Sequence, residues 1–276
     1  MEKIFISYGD NSFKVSLDRI LRQAKQSKLF DRIIGFTPKD LPEYIRSSPL
    51  FAIKTGGGCW SWKPYIIYHT LQNCSIGDVV YYADAGCSLD PTSPEWSDFQ
   101  SYVQSFSAIF FQYRSYFNYP GWEKYYPCSA PHTRPSAIEH WIKPSLSQYF
   151  LQFISPDFLS FDKIWAGFMI FKKTDHIISI LEQWYQITLF HPELVTAPLG
   201  SEMSHLPNSF FTHRFDQSVL SPLVYHFKEK DNVLVLPETA ESRIGQPAVL
   251  ATRWKQAALR PYPYLKYRLS EFFSSK

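Results

Sequence analysis

Short apolar runs alternate with helix-periodic stretches through the first third of the chain. Ile4 to Tyr8 reads as a strand, and Gly9-Asp10-Asn11-Ser12 as a turn in which Asn11 or Ser12 can cap the next helix. Val15, Leu17, Ile20, Leu21 and Ala24 then recur at helical spacing up to about Lys28. Arg32 to Phe36 predicts a second strand, and Thr37-Pro38 the start of a short helix. This β-α-β-α order implies parallel pairing with right-handed crossovers. Phe51 to Ile53 reads as a third, very short strand, and Gly56-Gly57-Gly58 as a flexible loop. Ser61 and Pro64 open a helix through Ile66, Ile67 and Leu71.

The next run is the most informative. Gly77-Asp78 leads into Val79-Val80-Tyr81-Tyr82-Ala83, an unbroken apolar stretch that suits a central, buried strand. It ends on Asp84-Ala85-Gly86. From Asp90 to Ser160 the pattern is less regular. Ser107 to Arg114 reads as a strand, Pro120 to Pro144 as a long loop with short helices, and Ser145 to Phe153 as a helix. Trp165 to Phe171 predicts another buried strand, and Asp175 to Phe190 a helix with Ile178, Leu181, Trp184 and Ile187 on one face. Phe215-Asp216-Gln217-Ser218 opens a helix through Val219, Leu220, Leu223 and Phe227, and Val233 to Leu236 is a late strand. There is no internal repeat and no clear linker, so residues 1–276 are expected to form one domain with a basic, aromatic tail from about 253 to 276.

Composition narrows the function classes. Lys and Arg total 28 against 25 Asp and Glu, a bias too weak to argue for nucleic acid as the partner. Aromatic residues make up 18%, which suits a Phe- and Tyr-rich core or a surface that stacks sugar rings. Cys59, Cys74, Cys87 and Cys128 form no Cys-x-x-Cys pair, so a zinc site is not expected and the thiols read as reduced, in a cytoplasmic protein. No signal-peptide pattern opens the chain, and no apolar run approaches the ~20 residues that span a bilayer.

Asp84 stands where open α/β sheets bind ligands, at a strand's carboxyl end. A carboxylate there can hold Mn²⁺ or Mg²⁺, which in turn holds a diphosphate. On its own the same Asp-Ala-Gly also fits a turn aspartate bonding its own backbone. Gly86 lets the chain approach a bulky sugar closely, or serves a plain turn. Lys63 lies at a helix N-terminus, which favours anions, and can meet a diphosphate or stay a solvated first-turn lysine. Lys54 with the three glycines is not a P-loop, because the lysine does not follow them. Asp216 before an apolar-periodic run fits an N-cap.

Ordered blocks carry a resemblance. Gly58-Cys59-Trp60-Ser61-Trp62-Lys63-Pro64-Tyr65-Ile66-Ile67, followed by Gly77 to Cys87, resembles a bacterial glycosyltransferase group of surface-polysaccharide clusters. Ala166-Gly167-Phe168-Met169-Ile170-Phe171-Lys172 resembles a strand of the glycogenin-like, retaining glycosyltransferases, and His213 to Leu220 resembles their Asp-Gln segment. The similarity covers most of residues 3 to 236. It implies a GT-A-like, Rossmann-like α/β fold, with a mostly parallel sheet and helices on both faces. It implies transfer of a sugar, with retention, from a nucleotide diphosphate donor such as a UDP-sugar to a glycan acceptor. It places Tyr8 and Gly9 at the base and ribose, Asp216 and Gln217 at the transferred sugar, and His213 and Arg214 as a metal ligand and a phosphate contact. Gly86 occupies the place of the second carboxylate in the wider Asp-x-Asp pattern. A metal shell would then be completed by Asp216 or His213, or Lys and Arg would neutralise the diphosphate instead. Arg253, Lys255, Arg260, Lys266 and Arg268 among tail aromatics fit a packed terminal helix, or peripheral contact with an inner membrane face bearing lipid-linked acceptors. A catalytically reduced glycan-binding protein is the alternative. A sugar nucleotidyltransferase would want a Gly-rich loop after the first strand, which Tyr8 to Ser12 matches poorly.

Overall fold

The computed structural model describes residues 1–113, 136–174, 178–241 and 245–252. The expectations for 120–135, for Cys128 and for the 253–276 tail lie outside these residues.

The chain opens as β1 (Lys3–Tyr8), α1 (Lys14–Ser27) and β2 (Arg32–Phe36), with β1 and β2 paired in parallel. The expected side-chain cap at Asn11 or Ser12 is not formed: Phe13 holds the N-cap position without a side-chain bond, and Asp10 Oδ1 instead closes the preceding turn by accepting from the backbone N–H groups of Ser12 and Phe13. A 3₁₀ turn at Pro38–Asp40 carries the Thr37–Asp40 capping box. Next come α2 (Glu43–Arg46), a second 3₁₀ turn at Pro49–Ala52, and the single turn α3 (Gly56–Cys59). The second of these turns replaces the strand expected at Phe51 to Ile53. Pro49 supplies no N–H to a ladder, and Ser48 turns the chain by accepting from Leu50 N. Then come α4 (Trp62–Gln72), β3 (Val79–Ala83), β4 (Ser88–Leu89), α5 (Glu95–Ser105) and β5 (Ala108–Gln112). The rest is α6 (Pro144–Phe150), β6 (Ile164–Lys172), α7 (Ser179–Phe190), α8 (Pro192–Val195), α9 (Asp216–Phe227), β7 (Val233–Pro237) and β8 (Val249–Leu250).

The strand order in the main sheet is β2-β1-β3-β6-β5-β7, and β4 pairs with β8 in a separate ribbon. Five strands run one way and β6 runs against them. The architecture is thus α/β and mostly parallel, as the GT-A-like expectation has it. Side chains alternate across the sheet with the strand period of two. Ile4, Ile6, Val80, Tyr82, Ala108 and Phe110 pack under α4, α7 and α9. Phe5, Val79, Tyr81, Ile109 and Phe111 pack on the other face with α1 and α5. Among the described residues no helix is long and apolar enough to cross a membrane.

Two irregularities shape the sheet's carboxyl edge. The β5–β6 register shifts between Ile109 and Phe111, so β6 bulges near Ala166-Gly167. Before α4, residues 56 to 60 all take positive φ, including the non-glycines Cys59 (55°) and Trp60 (57°). Such a left-handed turn is tolerable because three of its five residues are glycine. It delivers Trp62 and Lys63 onto that edge.

Candidate active site

Four segments distant in sequence meet at the end of β3. Asp84 follows the strand directly, and its N–H donates to Gly167 O at 2.9 Å. The turn is closed by Cys87 N–H donating to Asp84 O at 2.8 Å. Arg19 of α1 clamps it from outside, with Nη2 donating to Ala85 O (2.9 Å) and Cys87 O (2.7 Å). The β6 bulge matters here, because it turns the consecutive carbonyls of Ala166 and Gly167 toward the site. One takes Lys63 and the other Asp84.

Lys63 is the centre of the cluster. It is 1% exposed, with Nζ 2.6 Å from Asp216 Oδ2, 3.2 Å from Asp84 Oδ1 and 3.1 Å from Ala166 O. It does not project from the helix start toward solvent, as its first-turn position suggested. The first turn of α4 is buried at Trp62, Lys63 and Pro64, and the ammonium is drawn inward by two carboxylates. Burial alone would lower the lysine's pKa, but Asp216 and then Asp84 outweigh it and hold the group charged. Tyr82, two residues before Asp84 on the same strand face, donates its hydroxyl to Asp84 Oδ1 in a short hydrogen bond. Burial first, and Asp84 next, keep that phenol protonated.

Asp216 begins α9 and is buried, so burial pushes its carboxyl up to about 6 while Lys63 pulls the other way. Phe215 just before it sits at φ 48°, ψ −115°, a conformation a non-glycine rarely adopts. Its ring lies 5.6 Å from that of Trp60, itself at positive φ. The two unusual backbone segments therefore brace each other, and each presents one partner of the Lys63–Asp216 pair. Gln217 Oε1 is buried without a hydrogen-bond partner among the described residues.

The remaining candidates lie around this cluster. Tyr8 ends β1 with its ring 4% exposed and stacked on Trp62 (3.9 Å between centroids, 18°). Its hydroxyl has no hydrogen-bond partner among the described residues, and burial, then Asp10 and Asp40, raise its pKa. Gly9 N–H donates to Phe36 O at 3.0 Å, fixing the loop after β1. Gly86 O accepts from Thr252 Oγ1 at 2.9 Å. Arg214 is exposed, with its guanidinium 4.9 Å from the Trp141 ring centre.

His213 does not join the carboxylates. It is buried, its Nδ1 accepts from Lys143 N–H (3.4 Å), and its Nε2–H donates to Val195 O (3.2 Å). Burial, with Lys143 adding, pushes its pKa down to about 3. The unfolded imidazole takes up a proton below about 6.5, so it binds more protons than the folded one between pH 3 and 6.5. Stability from this residue is therefore lost as pH falls through that window, by about 2 kcal/mol at pH 5. Asp216 acts in the opposite sense. Its folded carboxyl holds a proton from 3.8 up to about 6, so its contribution falls as pH rises there. Urea unfolding from pH 4 to 7 is expected to show His213→Gln losing the acid-side decline, leaving a profile that slopes downward toward pH 6. An unchanged slope in His213→Gln contradicts this placement.

Asp84 Oδ1 and Asp216 Oδ2 are engaged by Lys63, both nitrogens of His213 are engaged, and position 86 carries no side chain. Among the described residues no group of three His, Cys, Asp or Glu is placed to hold a metal.

Tyr82 and Arg19, which bond Asp84 and the turn after it, are neighbours of the cluster that sequence reasoning missed. Tyr82 had a signal, since residues two apart on a strand share a face. Arg19 had none, because its role depends on where α1 packs.

No protein-family model and no curated protein sequence matches the chain. Solved structures do. A glycosyltransferase involved in glycosylation of the major capsid of PBCV-1 aligns over 100% of both chains, at 8% identity and TM-score 0.46. The galactosyltransferase LgtC, in complex with donor and acceptor sugar analogs, aligns over 99% of this chain and 95% of its own, at 10% identity and TM-score 0.43. Core-mannan synthase A from Aspergillus fumigatus, in an Mn/GDP form, aligns over 85% and 72%, at 11% identity and TM-score 0.40.

Proposed function

We propose that the chain is a glycosyltransferase whose donor site is built on Asp84, Lys63, Asp216 and Gln217, with UDP-sugar as donor and a glycan hydroxyl as acceptor. One observation carries this reading. The blocks that bear the sequence resemblance, at residues 62–63, 84–86, 166–167 and 216–217, converge on a single buried ammonium. Motifs retained only by chance have no reason to meet.

Chemically, the bond between the donor's anomeric carbon and its phosphate oxygen breaks. A bond to the acceptor oxygen forms, and the acceptor's proton leaves with the diphosphate. In retention the acceptor approaches from the face the diphosphate leaves, so positioning and charge do the work more than a strong base. Asp84, whose side chain is 34% exposed, is the outward member of the cluster and would accept hydrogen bonds from donor hydroxyls. Gln217, whose Oε1 at the start of α9 has no partner among the described residues, would accept from the transferred sugar or the acceptor. Tyr8 and Gly9 would border the nucleoside, and Lys63 would hold both carboxylates in register. A lipid-linked acceptor at an inner membrane face, contacted by the basic tail, belongs to the same proposal.

The test is incubation with UDP-, GDP- and CMP-sugars, reading release of the nucleotide with and without glycan acceptors. Release of UDP that acceptor stimulates supports the reading. Release from none of them, with glycan binding retained, sinks it in favour of the glycan-binding alternative.

A further inference from the structure

Lys63 does something the proposed reaction does not require of a lysine. Its Nζ lies in a nest of three oxygens, Asp216 Oδ2, Ala166 O and Asp84 Oδ1, all within 3.2 Å of one point. Two carboxylates and a backbone carbonyl are the oxygen donors that hard divalent cations select, at about 2.0–2.6 Å. A four-carbon stem brings in an ammonium instead. The surroundings hold it there, since the ammonium is 5.5 Å from the Tyr82 ring centre and 5.9 Å from that of Trp62.

We propose that the Lys63 ammonium is the resident cation of the Asp84–Asp216 pair, so that this site handles its ligand without a divalent metal ion. Lys63 is a positioning residue. It reaches the ligand only through Asp84, whose Oδ1 it fixes together with Tyr82. The same oxygens cannot accept a divalent ion while the ammonium is in place, because the two cations would compete for one nest and repel each other within it. Removing the ammonium leaves two uncompensated carboxylates beside a carbonyl, which is an oxygen site for Mn²⁺. The inference rests on the donor-site reading only for its ligand, and its cation chemistry stands apart.

The probe is Mn²⁺ alone, titrated into the full chain and followed by the loss of the free-ion electron paramagnetic resonance signal. Wild type is expected to leave Mn²⁺ free through the high-micromolar range. Lys63→Met is expected to take up one Mn²⁺ at least tenfold more tightly than wild type, and Lys63→Met/Asp84→Asn to lose it. Lys63→Arg, which keeps the charge, is expected to behave as wild type. A wild-type Mn²⁺ site that Asp84→Asn abolishes overturns the proposal, as does a folded Lys63→Met that gains no Mn²⁺. Should Lys63→Met fail to fold, the wild-type and Asp84→Asn titrations decide alone. No wild-type site upholds the proposal, and one lost in Asp84→Asn overturns it. A separate UDP titration keeps the two readings apart. UDP binding that needs Mn²⁺ overturns this inference and leaves the transferase. No nucleotide binding overturns the transferase and leaves the inference to the Mn²⁺ result.

Discussion

Lys63→Met is expected to lower the unfolding free energy by about 3–5 kcal/mol, the usual loss when one member of a buried ion pair is removed. Methionine fills nearly the same volume, so packing changes little and the electrostatic term dominates. The loss arises from what remains. Asp216, 7% exposed at its side chain, would face Asp84 with no cation between them, and Ala166 O would lose its donor. Asp216→Asn in the same background removes the stranded charge and is expected to recover part of the loss. The two substitutions are thus non-additive, as contacts in one network are. Urea unfolding of the four members of this cycle measures it. A Lys63→Met loss under about 1 kcal/mol, or strict additivity, contradicts the picture of a charged lysine clamped by both carboxylates.

Asp84→Asn is expected to abolish most turnover, by about 10²-fold or more, while the protein stays folded. The amide keeps the carboxylate's shape, and Asp84 is the most exposed member of the cluster, so the structural cost is small. What changes is charge and acceptor strength at the carboxylate we propose to meet the ligand. A site built to accept hydrogen bonds from hydroxyls discriminates sharply when an acceptor is weakened. Tyr82→Phe, which frees Asp84 Oδ1 from its phenol without removing the carboxylate, is expected to lower turnover less. Steady-state kinetics of the two variants, with circular dichroism to check folding, separates these roles. Equal losses in both, or full activity in Asp84→Asn, would move the chemistry away from Asp84.

The fold was legible where periodicity is strong. β1, α1 and β3 come from runs and repeats that each bury one face or both, and the β2, α9 and β7 assignments rest on the same apolar patterning. Phe51 to Ile53 misled because three apolar residues in a row carry no period, and Pro49 decided the local geometry. The reversed direction of β6 was invisible, since Trp165 to Phe171 is apolar on both faces and reads alike either way. The site was half legible. Asp84 and Asp216 stand out as carboxylates at element ends. The inward path of Lys63 does not, because α4 is apolar nearly all round and its first turn gives no sign of which face the sheet covers. That Ala166 and Gly167 contribute through carbonyls rather than side chains depends on a bulge that only the paired strands reveal.

The most direct measurement of the central claim is calorimetric titration of wild type and Asp84→Asn with UDP, with GDP and CMP as controls. The account predicts that wild type binds UDP in preference to the other two, and that Asp84→Asn binds it far more weakly. Failure of all three nucleotides to bind a folded wild-type chain, or UDP binding indifferent to Asp84, would contradict it.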